Sequence, residues 1–179
     1  MRKVKILDKE FKITIPAASV KQVIEHMALR INTDYAEEEV LFVGILNGAF
    51  MFSADLIKRI RLKCQISFVK LSSYSGSSTS GSVRELIGLM DEIKGKHVII
   101  LEDIVETGLT LETIVKLMKP MKPASLKVAT LLFKPQAYQK NLKLDYIGLE
   151  IPNEFIIGYG LDYNGYGRNY EDIYTTINS

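Results

Sequence analysis

Short, almost wholly apolar blocks alternate with helix-spaced apolar stripes along most of this chain. Val40–Leu46 is a continuous apolar run, the mark of a strand buried on both faces, and Val98–Leu101 and Leu126–Phe133 read as further apolar strands. Ile66–Leu71 reads as a further strand. Val20, Val23, Ile24, Met27, Ala28 and Ile31 recur at helical spacing, which predicts one apolar helix face. His26 falls off that stripe and reads as a solvated surface residue. Helices are also expected from Ala49 to about Ile60 and from about Leu109 to Met118, the second stopped by Pro120. Lys3–Ile15 alternates loosely, as short strands do. Asp145–Ile151 and Phe155–Tyr159 close the series. Strands alternating with helices predict a parallel α/β sheet, whose ligands bind beyond the carboxyl ends of the strands.

Ser72–Ser82 breaks the pattern. It is dense in Ser and Gly, with Tyr74 as its one large residue, so it reads as a long loop, and a loop of this length inside a compact domain favours a lid. Composition narrows the class. A length of 179 residues predicts one domain, and 47% hydrophobic with 25% charged residues is ordinary for a chain that buries a core. A net charge of +2 gives no reason to expect nucleic acid as the main partner. The single Cys64 precludes an internal disulfide, fits a reducing compartment, and reads as a buried, inert thiol. The first residues lack the apolar region of a signal peptide, and no apolar run approaches membrane-spanning length. A cytoplasmic protein without a membrane partner is the expectation.

Chemistry gathers at the expected strand ends: Asn47-Gly48, the Ser/Gly loop, the run from Glu102 to Thr110, and Lys134. No Walker motif is present. The Gly158, Gly160, Gly165 and Gly167 cluster lacks the strand-to-helix setting of a dinucleotide fingerprint and reads as tight turns. No Cys/His set has zinc spacing. The acid pair Glu102-Asp103 at the end of a strand can accept from ribose hydroxyls. Thr107, Gly108 and Thr110, leading into a helix, can hold a phosphate with turn amides and hydroxyls. Two adjacent buried carboxylates without partners would be costly, which argues against a structural role. Lys134 alone would read as a solvated strand-end lysine, and Phe155 alone as a core aromatic.

The full string from Glu102 through Ile104, Val105, Glu106, Thr107, Gly108 and Leu109 to Thr110, set between a strand and a helix, resembles the phosphoribosyl-diphosphate signature of the type I phosphoribosyltransferases. Lys134, Glu150-Ile151-Pro152, Phe155–Tyr159, Leu161–Asn164, Arg168 and Ser73-Tyr74 follow the order of the hypoxanthine-guanine phosphoribosyltransferase family. The resemblance spans Val40 to Arg168. It implies a parallel-sheet core (about 36–150) flanked by helices, with a small hood built from about 1–16 and 151–179, all in a single domain. It implies transfer of a phosphoribosyl group from phosphoribosyl diphosphate to a 6-oxopurine, with Mg²⁺ as cofactor and a homodimer or homotetramer as the assembly. A xanthine-preferring enzyme, or a nucleotide- or RNA-binding regulator on the same fold, are the alternatives.

The resemblance also implies roles. Thr107, Gly108, Leu109 and Thr110 wrap the 5′-phosphate, with Gly108 allowing close backbone approach, and Glu102 and Asp103 bind the ribose hydroxyls. Glu106 is the general base near N7. Lys134 donates to the purine O6, Phe155 stacks on the base, and the Ile156 carbonyl accepts from a 2-amino group. Asn47, Gly48 and Arg168 contact pyrophosphate. Asp162, with Glu102 and Asp103, serves Mg²⁺, and Ser73-Tyr74 closes as a lid. The Leu46–Asn47 peptide is expected to be cis. Two positions depart from the family: Glu106 stands where many members have Asp, and Asn47 where many have a basic residue.

Overall fold

The computed structural model describes residues 3–74, 83–88 and 92–177. In chain order the elements are β1 (Lys3–Ile6), β2 (Lys9–Ile15), α1 (Ala17–Asp34), β3 (Val40–Ile45), α2 (Phe50–Ile57), β4 (Cys64–Tyr74), β5 (Val83–Ile87), β6 (His97–Val105), α3 (Leu109–Met118), β7 (Ser125–Phe133), β8 (Tyr146–Glu150), β9 (Ile156–Ile157) and β10 (Ile173–Thr176). A 3-10 turn, Lys119–Met121, follows α3 and contains Pro120.

A six-stranded sheet runs in the order β5-β4-β3-β6-β7-β8. Its β4, β3, β6, β7 and β8 are parallel, and β5 is antiparallel on the edge beside β4. All six residues of β3 are buried, as its unbroken apolar run predicts. Successive strand side chains point to opposite faces, which splits that run between two cores. Val40 and Phe42 pack with Val20, Ile24 and Ile31 of α1 and with Phe52 and Leu56 of α2. Leu41 and Val43 pack on the other face with Leu111, Ile114 and Met118 of α3. His26 is exposed, as its position off the stripe predicts.

From β3 the chain builds outward through β4, then returns to lay β6 against the other side of β3. The reversal opens a crevice between the ends of β3 and β6, the place where open α/β sheets bind ligands. The two ends of the chain form a second, antiparallel sheet in the order β1-β2-β10-β9. Its small core is Ile6, Phe11, Ile157 and Tyr174.

Several expectations are corrected. The strand expected to end at Leu101 continues to Val105, so Glu102 and Asp103 lie within it, with Glu102 opposite Thr130 of β7, rather than just past its end. Hydrogen bonding to a neighbouring strand overrides the polarity of the two acids. Ser72, Ser73 and Tyr74 extend β4 and pair with Glu85, Arg84 and Val83 of β5. The sequence reading missed β5, and the rest of its loop, residues 75–82, lies outside the described residues. It also missed β10, whose partners lie at the far end of the chain. The second helix is shorter than expected, ending at Ile57. Cys64 is free and only partly buried, and burial pushes its thiol pKa up. Among the described residues no helix is long and apolar enough to cross a membrane.

Candidate active site

The carboxyl ends of β3, β6 and β7 bring the predicted residues into three neighbouring groups. The first is the acid pair. Glu102 and Asp103 are only 9% and 6% exposed. Burial, then the charge of Asp103 and a hydrogen-bonding interaction with it, holds the Glu102 pKa well above the usual carboxylate range. Burial also raises Asp103, opposed by hydrogen bonds from Glu102 and the backbone and by the charge of Arg168. Among the described residues, Oε2 of Glu102 is buried without a hydrogen-bond partner. A buried carboxylate oxygen without a partner costs free energy, which makes this oxygen a candidate to meet a ligand group.

The second group lies across the crevice. The Leu46–Asn47 peptide is cis, as expected. Asp103 sits so near Gly48 that a Cβ there would lie 1.8 Å from Oδ2. Gly160, at φ 97°, brings its α-carbon onto the Gly48 carbonyl, where a Cβ would be 2.1 Å from that oxygen. Arg168 donates to the Gly160 carbonyl at 2.6 Å and pairs with Asp162 at 2.6 Å. Asp162 also accepts from the Gly165 amide at 2.6 Å. Gly160 is therefore more than the tight turn its sequence context suggests. It lets the C-terminal segment carry Asp162 and Arg168 against the end of β3, and its signal was the glycine spacing that the fingerprint test set aside.

The third group is the turn into α3. A cleft of about 160 Å³ is lined by Glu102 and residues 104–111, so Thr107, Gly108, Leu109 and Thr110 all face it. Ile104 and Val105 line it as well, and their apolar side chains gave no signal of a site. The α3 N-cap is Gly108 in a left-handed conformation with no capping side chain. The helix start thus presents amide donors and the positive end of its dipole to the cleft. Beside it, Lys134 is buried at 3% exposure, and its Nζ donates to the carboxylate of the half-exposed Glu106. That ion pair removes the reading of Lys134 as a solvated lysine, and the sequence did not foresee it.

Phe155 and Ile156 stand just before and within β9. Phe155 is 44% exposed, which removes the core-aromatic reading. Its ring meets Tyr163 edge-on at 5.7 Å and Phe11 at 6.4 Å, with Lys9 Nζ 5.3 Å from its centroid. Ile156 is buried and pairs with Thr175 of β10. Ser73 and Tyr74 are placed as strand backbone, and the segment that would close with them lies outside the described residues. Among the described residues no three acid, histidine or cysteine side chains converge as a metal cage.

β6 thus carries two buried acids near its carboxyl end, a cleft opens at the start of α3, and a buried lysine stands beside them. The phosphoribosyl transferase domain family matches residues 16–164. The hypoxanthine-guanine phosphoribosyltransferase of Staphylococcus epidermidis is 41% identical over 165 residues, covering 91% of this chain and 92% of that protein. The hypoxanthine phosphoribosyltransferase of Haemophilus influenzae is 41% identical over 82% of this chain and 84% of its own length. A crystal structure of a hypoxanthine-guanine phosphoribosyltransferase from Bacillus anthracis superposes with a TM-score of 0.85 at 35% identity, covering 93% of this chain and 98% of that one. The chain belongs to the phosphoribosyltransferase family, in its hypoxanthine-guanine branch.

Proposed function

We propose that this purine-salvage transferase moves the 5-phosphoribosyl group of phosphoribosyl diphosphate onto N9 of hypoxanthine or guanine, giving the nucleoside monophosphate and pyrophosphate. The observation that carries the reading is the pairing of buried Lys134 with half-exposed Glu106 beside the cleft at the start of α3. A base donor and a candidate base for the proton thus adjoin a phosphate cradle and a pair of ribose-binding acids.

In this reading the turn at Thr107–Thr110 takes the 5′-phosphate, and Glu102 and Asp103 accept from the ribose 2′- and 3′-hydroxyls. A hydroxyl proton reaching Oε2 of Glu102 gives that atom the partner it lacks. Lys134 and Glu106 satisfy one another until a purine arrives. Lys134 then donates to O6, and Glu106 takes the proton the base must lose. Adenine presents an amino donor to the same ammonium, so it is rejected. Exposed Phe155 stacks on the base, and the Ile156 carbonyl accepts from the 2-amino group of guanine. The C1′–oxygen bond to pyrophosphate breaks with its electron pair leaving on pyrophosphate, and N9 forms the new bond to C1′. Arg168 and the amides of Asn47 and Gly48 hold the departing group. A lid role for Ser73 and Tyr74 completes the reading.

Magnesium fits the donor set as an ion carried with the substrate. Asp162, with Glu102 and Asp103, would be the carboxylates that hold it, with pyrophosphate oxygens and water as the remaining ligands. Bound there, it adds positive charge beside the leaving pyrophosphate. An assembly of two or four copies in the cytoplasm belongs to the same reading.

The test mixes the protein, phosphoribosyl diphosphate and Mg²⁺ with hypoxanthine, guanine, xanthine, adenine and uracil in separate reactions, and follows pyrophosphate. Turnover is expected with hypoxanthine and guanine and none with adenine or uracil. Preference for xanthine would move the assignment within the 6-oxopurines, and no turnover with any 6-oxopurine would overturn it.

A further inference from the structure

Tyr138 stands where the segment carrying Lys134 runs back along the phosphate turn. The two stretches are joined at several levels. The Lys134 amide donates to the Val105 carbonyl at 2.9 Å, and the Gln139 amide to the Thr107 carbonyl at 3.3 Å. Lys140 Nζ lies 3.0 Å from Glu112 Oε2, at the first turn of α3. Between these contacts the Tyr138 ring lies against the α-carbon of Gly108. A Cβ at that glycine would be 2.5 Å from Tyr138 Cε2 and 3.0 Å from Lys140 Cγ. Gly108 is therefore required as much by Tyr138 behind the turn as by a ligand in front of it.

The ring is itself fixed. It meets Phe133 edge-on at 5.3 Å, and its hydroxyl donates to the Leu142 carbonyl at 2.7 Å. Its burial raises the phenol pKa above the usual value. Gly108 caps α3 without a side-chain bond of its own, and the local contact from the Leu109 amide to the Thr107 hydroxyl is a long one, at 3.4 Å. The cleft is lined by Glu102 and residues 104–111 and not by Tyr138, which places the ring behind the turn.

Resting on the function proposed above, we propose that Tyr138 is a positioning residue: it holds the 107–110 backbone in the conformation that receives the 5′-phosphate. Small misplacements of a binding turn are expensive in transfer reactions. The same segment carries Lys134, so a purine on the lysine and a phosphate on the turn share one rigid support.

The experiment compares wild type with Tyr138→Leu and Tyr138→Phe. It measures binding of the purine nucleoside 5′-monophosphate, binding of the nucleoside without its phosphate, and KM and kcat for phosphoribosyl diphosphate. Tyr138→Leu should weaken nucleotide binding and raise KM by about 10-fold, leaving kcat and nucleoside binding close to wild type. Tyr138→Phe, which keeps the ring, should recover most of the loss. If the Leu variant does not fold, Tyr138→Met makes the same comparison. Unchanged nucleotide binding, or equal loss for nucleotide and nucleoside, overturns the positioning role. A wild-type protein that binds no purine nucleotide overturns the functional reading instead.

Discussion

The two edges of the central sheet treat their polar groups in opposite ways. At the amino ends of the strands the groups satisfy one another. Tyr146, the first residue of β8, donates to Asp34 at 2.7 Å, and Lys127 lies 3.9 Å from the same carboxylate and 4.8 Å from the Tyr35 ring centroid. His97 and Ser125, which open β6 and β7, share a hydrogen bond at 2.8 Å, and Glu38 lies 3.5 Å from the other histidine nitrogen. At the carboxyl ends, Glu102 keeps a buried oxygen with no partner among the described residues, and Asp103 is buried beside it. Both edges carry acids and cations of similar kinds. The difference is that the amino edge closes its own bonding, while the carboxyl edge pairs Lys134 with Glu106 and Arg168 with Asp162 yet leaves one buried Glu102 oxygen open, and open bonding in a buried place is what a ligand can complete.

The comparison breaks most directly at Lys134. Lys134→Met should lower kcat/KM for the 6-oxopurine on the order of 100-fold, read by steady-state kinetics. Glu106→Asp in the same assay should stay within a few-fold of wild type, since many members of the family resembled carry that shorter acid. A fully active Lys134→Met variant would show that the open edge does not recognise the base.

A smaller effect is expected at Glu102, and it has opposite signs for stability and binding. Burial raises the folded pKa of Glu102, so the unfolded chain ionises it at lower pH. The ligand-free fold is then most stable below the ordinary carboxylate pKa, and it loses stability as pH rises toward the raised value. Glu102→Gln removes that loss. Its melting temperature should exceed that of wild type at about pH 7 and converge with it near about pH 4, while phosphoribosyl diphosphate binding weakens about 10-fold. A variant that melts lower than wild type at neutral pH would show that the acid pair stabilises the free fold.

The smallest effect on activity belongs to the closed edge. Tyr146→Phe deletes the hydroxyl that Asp34 accepts, and should cost about 1 kcal/mol of stability in denaturant titration with both KM values unchanged. A shifted KM would mean that the two edges are coupled through the sheet.

Much of this was legible in order along the chain. The apolar block at Val40–Leu46 names a strand covered on both sides, and the stripe from Val20 to Ile31 names the face of α1 that covers it. The string from Glu102 to Thr110 names a phosphate turn because its chemistry is contiguous. The extent of β6 was not legible, since two acids look like a strand's end until β7 is beside them. The same holds for β5 and β10, whose pairing partners are set by other segments.

The sequence by itself determined the alternation of strand and helix, the phosphate turn and the residue types gathered at the strand ends, because periodicity and short motifs are local properties. Only the tertiary structure decided which of those residues meet. It put Glu106 on Lys134, Gly160 against Gly48, and Tyr138 behind Gly108. It also left Oε2 of Glu102 buried without a partner among the described residues, while Tyr146 found Asp34 and His97 found Ser125. Those outcomes depend on how strands far apart in sequence are ordered across one sheet, and on the space left between them, which no local pattern records.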